Sequence, residues 1–391
     1  MIDSRKNSSL FTTGRKVARS SSADPWRDGS LTEATAFEFS QTRVTLSGSM
    51  PRLDSTATPF FGIGAMRAAT TWLAELLRSY PDCAMAPFKE IHFFDVRYGK
   101  YGGGKHYRSK AKRLEILTRN VARRVARVRG ETVAAEEKEE VGAAEAVGNE
   151  LMPDRHSTAW TDEIRNQFFA RAGLDNELRQ IADLADYLSI RNVGSYIDYI
   201  RHHAAGARAF GEITPTYALL PAAGFAEIDA LFRGVRFIFI MRDPVERLWS
   251  QVRFRADRPE RRDGKKDPNG DFRRALQRPN SIEASSYQRT IVELESVIPK
   301  NRILYLFHEL MVSPTAGPAE IRRIETALGL KAADIDPKIF STPVNPSAPA
   351  RLDPENEAAA LRLFAPVYAF VQRRFGRPPL WRSPDEHGCP P

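Results

Sequence analysis

Cysteine is scarce in this chain, with two residues, Cys83 and Cys389, in 391. They stand far apart, so they form no disulfide framework, and no C-x-x-C spacing offers a zinc site. Histidine is sparse too, with seven residues, none at metal-ligand spacing, and His202-His203 reads as helix surface. No metal is implied. No apolar stretch approaches the roughly 20 residues of a membrane-spanning helix. The first residues lack the apolar core of a secretory signal. These absences lead to the expectation of a cytoplasmic protein.

Acidic side chains are outnumbered, 49 against 58 basic ones, for a net charge of +9. A basic excess fits nucleic acid, an anionic membrane surface or small anionic ligands. The charge is spread along the chain, which argues against a dedicated nucleic-acid arm. Small anions fit best, and peripheral membrane contact stays open. The hydrophobic share of 42% is enough for a sizeable core.

Residues 1 to about 55 are rich in Ser, Thr, Arg and Asp without a period, and read as a disordered tail. Met50 leaves a later translation start open. The structured domain is expected over 56–391, with a charged, helical insertion at about 100–190. The insertion holds a basic helical stretch, Lys110 to Arg129, then an acidic Ala-rich run with Glu136, Glu137, Glu139 and Glu140. It reads as a solvated hairpin, or as a substrate-side lid. One further helical region is expected over Ile181 to Ala204.

Elsewhere strands and helices alternate. Strands are expected at Phe60–Ile63, Cys83–Ala86, Ala209–Ile213, Val235–Met241 and Arg302–Phe307. Leu73, Leu76, Leu77 and Tyr80 recur at helical spacing, and Pro81 ends that helix. Further helices are expected around Tyr287–Ile298, Ile321–Leu328 and Leu361–Phe375. The alternation implies an α/β fold with a central parallel sheet flanked by helices, of the P-loop three-layer kind.

The most telling segment follows the first strand: Gly64-Ala65-Met66-Arg67-Ala68-Ala69-Thr70-Thr71-Trp72. A small-residue turn feeding a helix N-terminus gathers backbone N–H groups where the helix dipole favours an anion. Thr70 and Thr71 add hydroxyls and Arg67 a fixed charge. A nucleoside triphosphatase would place Lys directly before the Ser/Thr. Here Ala69 stands at that position and the cation lies earlier.

The pattern resembles the loop by which sulfotransferases hold the 5′-phosphosulfate of PAPS (3′-phosphoadenosine-5′-phosphosulfate). Four later segments are similar to that family, in its order. Lys89-Glu90-Ile91-His92-Phe93-Phe94-Asp95 resembles the segment that carries the acceptor base in heparan sulfate-type members. The resemblance implies Glu90 as base, with His92 and Asp95 orienting the site and Lys89 toward the substrate. Gly211-Glu212-Ile213-Thr214-Pro215-Thr216-Tyr217 is similar to a stretch that places Thr214 and Tyr217 near substrate, with Ile213 where several members have Lys. Phe239 to Ser250 resembles the second PAPS signature, a strand ending in Arg-Asp-Pro. It implies Arg242 and Ser250 at the 3′-phosphate, with Asp243 capping and Pro244 opening a helix. Arg302 to Leu330 looks like the family's last motif, and Asn345, Ser347 and Arg351 lie where relatives close a loop over the nucleotide.

The resemblance implies PAPS as donor, in-line displacement at sulfur, adenosine 3′,5′-bisphosphate as product and no metal. It implies Gly64, Ala65, Ala68, Ala69, Thr70 and Thr71 around the phosphosulfate, and Arg67 against charge on the bridging oxygen. Trp72 would stack on adenine or pack in the core. Most members have Gly at the position of Ala69, so a Cβ would crowd the loop if that residue needs positive φ. The acceptor is open: a glycan, a glycolipid, or a small alcohol or amine. A catalytically weak nucleotide-binding relative and a P-loop kinase stand as alternatives. The kinase would need the missing Lys and a Mg²⁺-binding carboxylate.

Overall fold

The computed structural model describes residues 57–101, 103–128, 175–204, 206–257, 267–340 and 348–382. The expected N-terminal tail, the acidic run, Asn345, Ser347 and Cys389 lie outside them. The strands are β1 (Thr58–Gly64), β2 (Cys83–Met85), β3 (Ala209–Ile213), β4 (Arg236–Met241) and β5 (Ile303–Phe307). Each matches an expected strand, to within two residues at its ends. They form one sheet in the order β2-β3-β1-β4-β5, and every pairing is parallel.

That order fixes where a ligand site belongs. From β1 the chain runs outward to β2 and returns as β3. From β4 it runs the other way, to β5. Neighbouring strands β1 and β4 therefore send their connections to opposite sides, and the crevice at their carboxyl ends is the natural binding place. β4 is the innermost by character, with Phe237 to Met241 all inaccessible. An apolar run buried on both faces is what a parallel sheet demands. β3 comes so close to β1 that a Cβ on Gly211 would stand 2.0 Å from the Phe60 carbonyl oxygen.

The helices used below are α1 (Thr70–Arg78), α2 (Gly103–Val128), α3 (Asp175–Leu188), α4 (Val193–Ala204), α5 (Pro244–Ala256), α6 (Tyr287–Glu295), α7 (Gly317–Leu328) and α8 (Pro354–Phe375). On α1 the expected stripe of Leu73, Leu76 and Leu77 is inaccessible. α2 begins seven residues before the expected start. The helical region expected from Ile181 to Ala204 is made of two helices. The break falls at Asn192, whose Oδ1 accepts the Ser195 N–H at 3.0 Å while the Ser195 hydroxyl accepts the Asn192 N–H at 3.0 Å. This local exchange starts a new helix where apolar periodicity alone would continue the old one.

Candidate active site

Three segments meet at the carboxyl ends of β1, β3 and β4. The first is the loop from Gly64 to Ala69. Gly64 has φ 147°, and a Cβ there would lie 2.9 Å from both Ala218 Cβ and the Pro215 carbonyl oxygen. The loop is tied to β4 by the Ala65 N–H, which donates to the Ile240 carbonyl at 2.7 Å. Ala69, just before α1, has φ 59° and Arg67 has φ 65°. Ala69 thus holds a left-handed conformation that suits glycine, as its position suggested. Trp72 is buried; its indole N–H donates to the Ile339 carbonyl at 2.8 Å, and its ring packs on Phe340. That is a packing geometry rather than an open stacking platform.

The second segment is the end of β4 and α5. Asp243 caps α5, accepting the Val245 and Glu246 N–H groups at 3.0 and 2.9 Å. Arg242 donates through Nη1 to the Arg67 carbonyl at 2.9 Å. Arg67 Nε donates to the Ser250 hydroxyl at 3.2 Å, and its guanidinium lies 4.3 Å from the Phe254 ring centroid. The two parts of the expected cofactor site are therefore in direct contact, although 183 residues separate Arg67 from Ser250. Burial lowers the pKa of Arg67, with Arg242 and Arg253 adding like charge. Burial also lowers that of Arg242, against Glu246 and Glu309. Arg242 Nε is buried with no hydrogen-bond partner among the described residues. Clustered guanidiniums and a buried, unused donor suit a polyanion such as PAPS.

The third segment runs from Lys89 to Asp95. Lys89 Nζ sits 3.3 Å from Thr70 Oγ1 and 2.8 Å from Glu90 Oε1, so it links the phosphate loop to the carboxylate. His92 lies between two carboxylates, its Nε2 3.3 Å from Glu90 and its Nδ1 2.7 Å from Asp95. The Tyr101 ring stacks on the His92 ring at 4.0 Å. Burial pulls the His92 pKa down, but its bonds to Asp95 and Glu90 outweigh this and hold it at about 9. Burial likewise pushes Glu90 up, and His92 and Lys89 more than offset it, to about 2. At neutral pH the group is a carboxylate held by an imidazolium. Glu90 is 39% exposed, against 5% for His92 and none for Asp95, so an incoming group meets Glu90.

Three expected substrate contacts lie behind the surface of the site. Asp95, Thr214 and Tyr217 are fully buried and their polar atoms are taken. Asp95 holds His92 and accepts from Thr216. Thr214 Oγ1 accepts the Ile91 N–H at 3.1 Å and donates to Glu212 at 2.7 Å. The Tyr217 hydroxyl accepts the Phe93 N–H at 3.1 Å and donates to Glu212 at 2.9 Å. They position the Lys89–Asp95 segment. Arg351 is exposed on the surface.

Glu212 was not among the expected site residues. It is inaccessible, yet it receives Tyr196, Tyr217 and Thr214 hydroxyls and the Ile91 N–H. Its place in the Gly211–Tyr217 stretch was a usable signal. Tyr187, whose hydroxyl donates to the Ile91 carbonyl at 2.9 Å, had none, because it sits in the insertion. Among the described residues, one group of metal-ligating types falls within reach of one another: Asp186, His202 and His203. It spans α3 and α4.

A model of the sulfotransferase family matches residues 59–334. No curated protein matches the chain. Among solved structures, a sulfotransferase from Alicyclobacillus acidocaldarius is similar at 16% identity and TM-score 0.48, over 85% of this chain and 98% of that one. The sulfotransferase domain of the Synechococcus PCC 7002 olefin synthase has 12% identity and TM-score 0.35, over 80% and 95% of the two chains. The sulfotransferase domain from the curacin biosynthetic pathway has 14% identity and TM-score 0.34, over 81% and 98%. No helix among the described residues is long and apolar enough to cross a membrane.

Proposed function

The chain belongs to the sulfotransferase family, and from that premise we propose that it moves the sulfuryl group of PAPS to a hydroxyl or amine, with Glu90 as the base. The proposed acceptor is a glycan or glycolipid, or a small alcohol or amine. The proposed unit is a sulfotransferase domain over 56–391, its sequence interrupted by the charged insertion at about 100–190.

When bound, PAPS supplies the sulfuryl group and departs as adenosine 3′,5′-bisphosphate. Arg242 and Ser250 would hold the 3′-phosphate, since a guanidinium grips phosphate with paired donors. The loop from Gly64 to Thr71, through those of its backbone N–H groups that are not bonded within the protein and through the Thr70 and Thr71 hydroxyls, would hold the phosphosulfate at the start of α1. Arg67 would stabilise charge that develops there; it stays protonated and so gives up no proton. Glu90 would take the acceptor proton, and His92 would fix its direction. Asp95 keeps His92 in place from behind.

One observation carries this reading: Lys89 joins loop residue Thr70 to Glu90 across 3.3 and 2.8 Å. It sets donor and acceptor machinery side by side. The test is label transfer from radiolabelled PAPS to a panel of glycans, glycolipids, small alcohols and amines. Glu90→Gln should lower turnover about 100-fold or more while leaving bisphosphate affinity within about twofold. Unchanged turnover in that variant would remove Glu90 from the role.

A further inference from the structure

α2 lies outside the segments that carry the family motifs, yet it reaches the site. Lys110, on its second turn, places its ammonium 3.6 Å from the Phe88 ring centroid and 4.8 Å from that of Tyr187. Phe88 immediately precedes Lys89. The Tyr187 hydroxyl holds the Ile91 carbonyl. Lys110 therefore stands over the two aromatic side chains that flank the Glu90 backbone, away from the Arg67–Ser250 contact.

Its charge is unanswered. Among the described residues no carboxylate lies within ion-pair distance of it. The carboxylate that acts on it is Glu90, which Lys89 and His92 already engage. Burial, then Arg113, lower its pKa to about 8, so it is still largely charged at neutral pH. Aromatic faces stabilise a cation without neutralising it. A partly desolvated cation with no counter-charge lacks what an anionic ligand brings. The rest of α2 carries eight further Lys or Arg residues in its sequence against Glu115 alone.

We propose that Lys110, seated over Phe88 and Tyr187, is a specificity-determining residue that selects acceptors carrying a negative group near the hydroxyl or amine to be modified. The inference rests on the proposed function and narrows its acceptor to an acidic one, bearing a carboxylate, phosphate or sulfate.

The test uses the full chain saturated with adenosine 3′,5′-bisphosphate, and matched probes. Glucose is compared with glucuronate, glucose 6-phosphate and glucose 6-sulfate, and 4-hydroxyphenylacetamide with 4-hydroxyphenylacetate. Binding is read by calorimetry, and the acidic probes separate the three anionic groups. At least one acidic probe should bind about tenfold more tightly than its neutral partner. Lys110→Gln should reduce that preference to about twofold, and Lys110→Arg should keep it. Equal binding across every pair, binding by none, or a preference that survives Lys110→Gln would overturn the proposal. Bisphosphate affinity on the same samples should be alike in wild type and Lys110→Gln. Its absence in wild type would instead strike the proposed function.

Discussion

Glu212 is inaccessible at the end of β3 and anchors the Lys89–Asp95 segment within a set of four donors. Oε1 receives the Tyr196 and Tyr217 hydroxyls at 2.6 and 2.9 Å. Oε2 receives the Thr214 hydroxyl at 2.7 Å and the Ile91 N–H at 3.3 Å. Burial pushes its carboxyl up from 4.5 to about 7, against the pull of those same donors. A carboxyl raised on folding binds more protons folded than unfolded. Its contribution is full below pH 4.5 and is lost as pH rises toward 7, about 3 kcal/mol in total. Glu212→Gln removes this titration but leaves an NH₂ group facing two donors. The Ile91 N–H cannot turn to accept, and the Tyr217 hydroxyl is fixed by the Phe93 and Phe94 N–H groups. We expect the variant to be less stable by about 1–3 kcal/mol near pH 5. The gap should close, or reverse, by about pH 8. Urea unfolding of both proteins across that range gives the difference directly, and subtraction cancels His92, Glu90 and His308. A difference that stays flat, or widens as pH rises, would refute the reasoning and show that the donors outweigh burial.

Ala69→Gly relieves a left-handed alanine, worth about 1–2 kcal/mol, against about 0.5–1 kcal/mol of added backbone entropy in the unfolded chain. Melting should therefore rise by about 2 °C, with tighter bisphosphate binding by calorimetry. Gly211→Ala sets a Cβ 2.0 Å from a carbonyl oxygen of the neighbouring strand. It should cost about 3 kcal/mol or more in denaturant unfolding, because the β1–β3 pairing must spread.

The sheet was legible because its strands are short, apolar and bounded by turn residues. All five lie where the pattern put them. The contact between Arg67 and Ser250 was legible only through motif order, since no local rule brings residues so distant in sequence together. The burial of Asp95, Thr214 and Tyr217 was not legible for a related reason. A polar residue in a site motif looks alike whether it faces the ligand or the residue that does, and burial decides which. Lys110 and Tyr187 carried no signal because helical periodicity gives a face but not the neighbour it meets. The helix break at Asn192 shows the same limit, as two side-chain bonds divide the helical region there.

The central claim is that the loop at the end of β1 and Arg242 at the end of β4 make one site for a 3′-phosphorylated adenosine nucleotide. Calorimetric titration with adenosine 3′,5′-bisphosphate, with ATP and Mg²⁺ as comparison, tests it most directly. The account predicts preference for the bisphosphate, weakened about 10- to 100-fold in Arg242→Ala through loss of charge-assisted bonds. Preference for ATP with Mg²⁺, or bisphosphate binding untouched by Arg242→Ala, would contradict it.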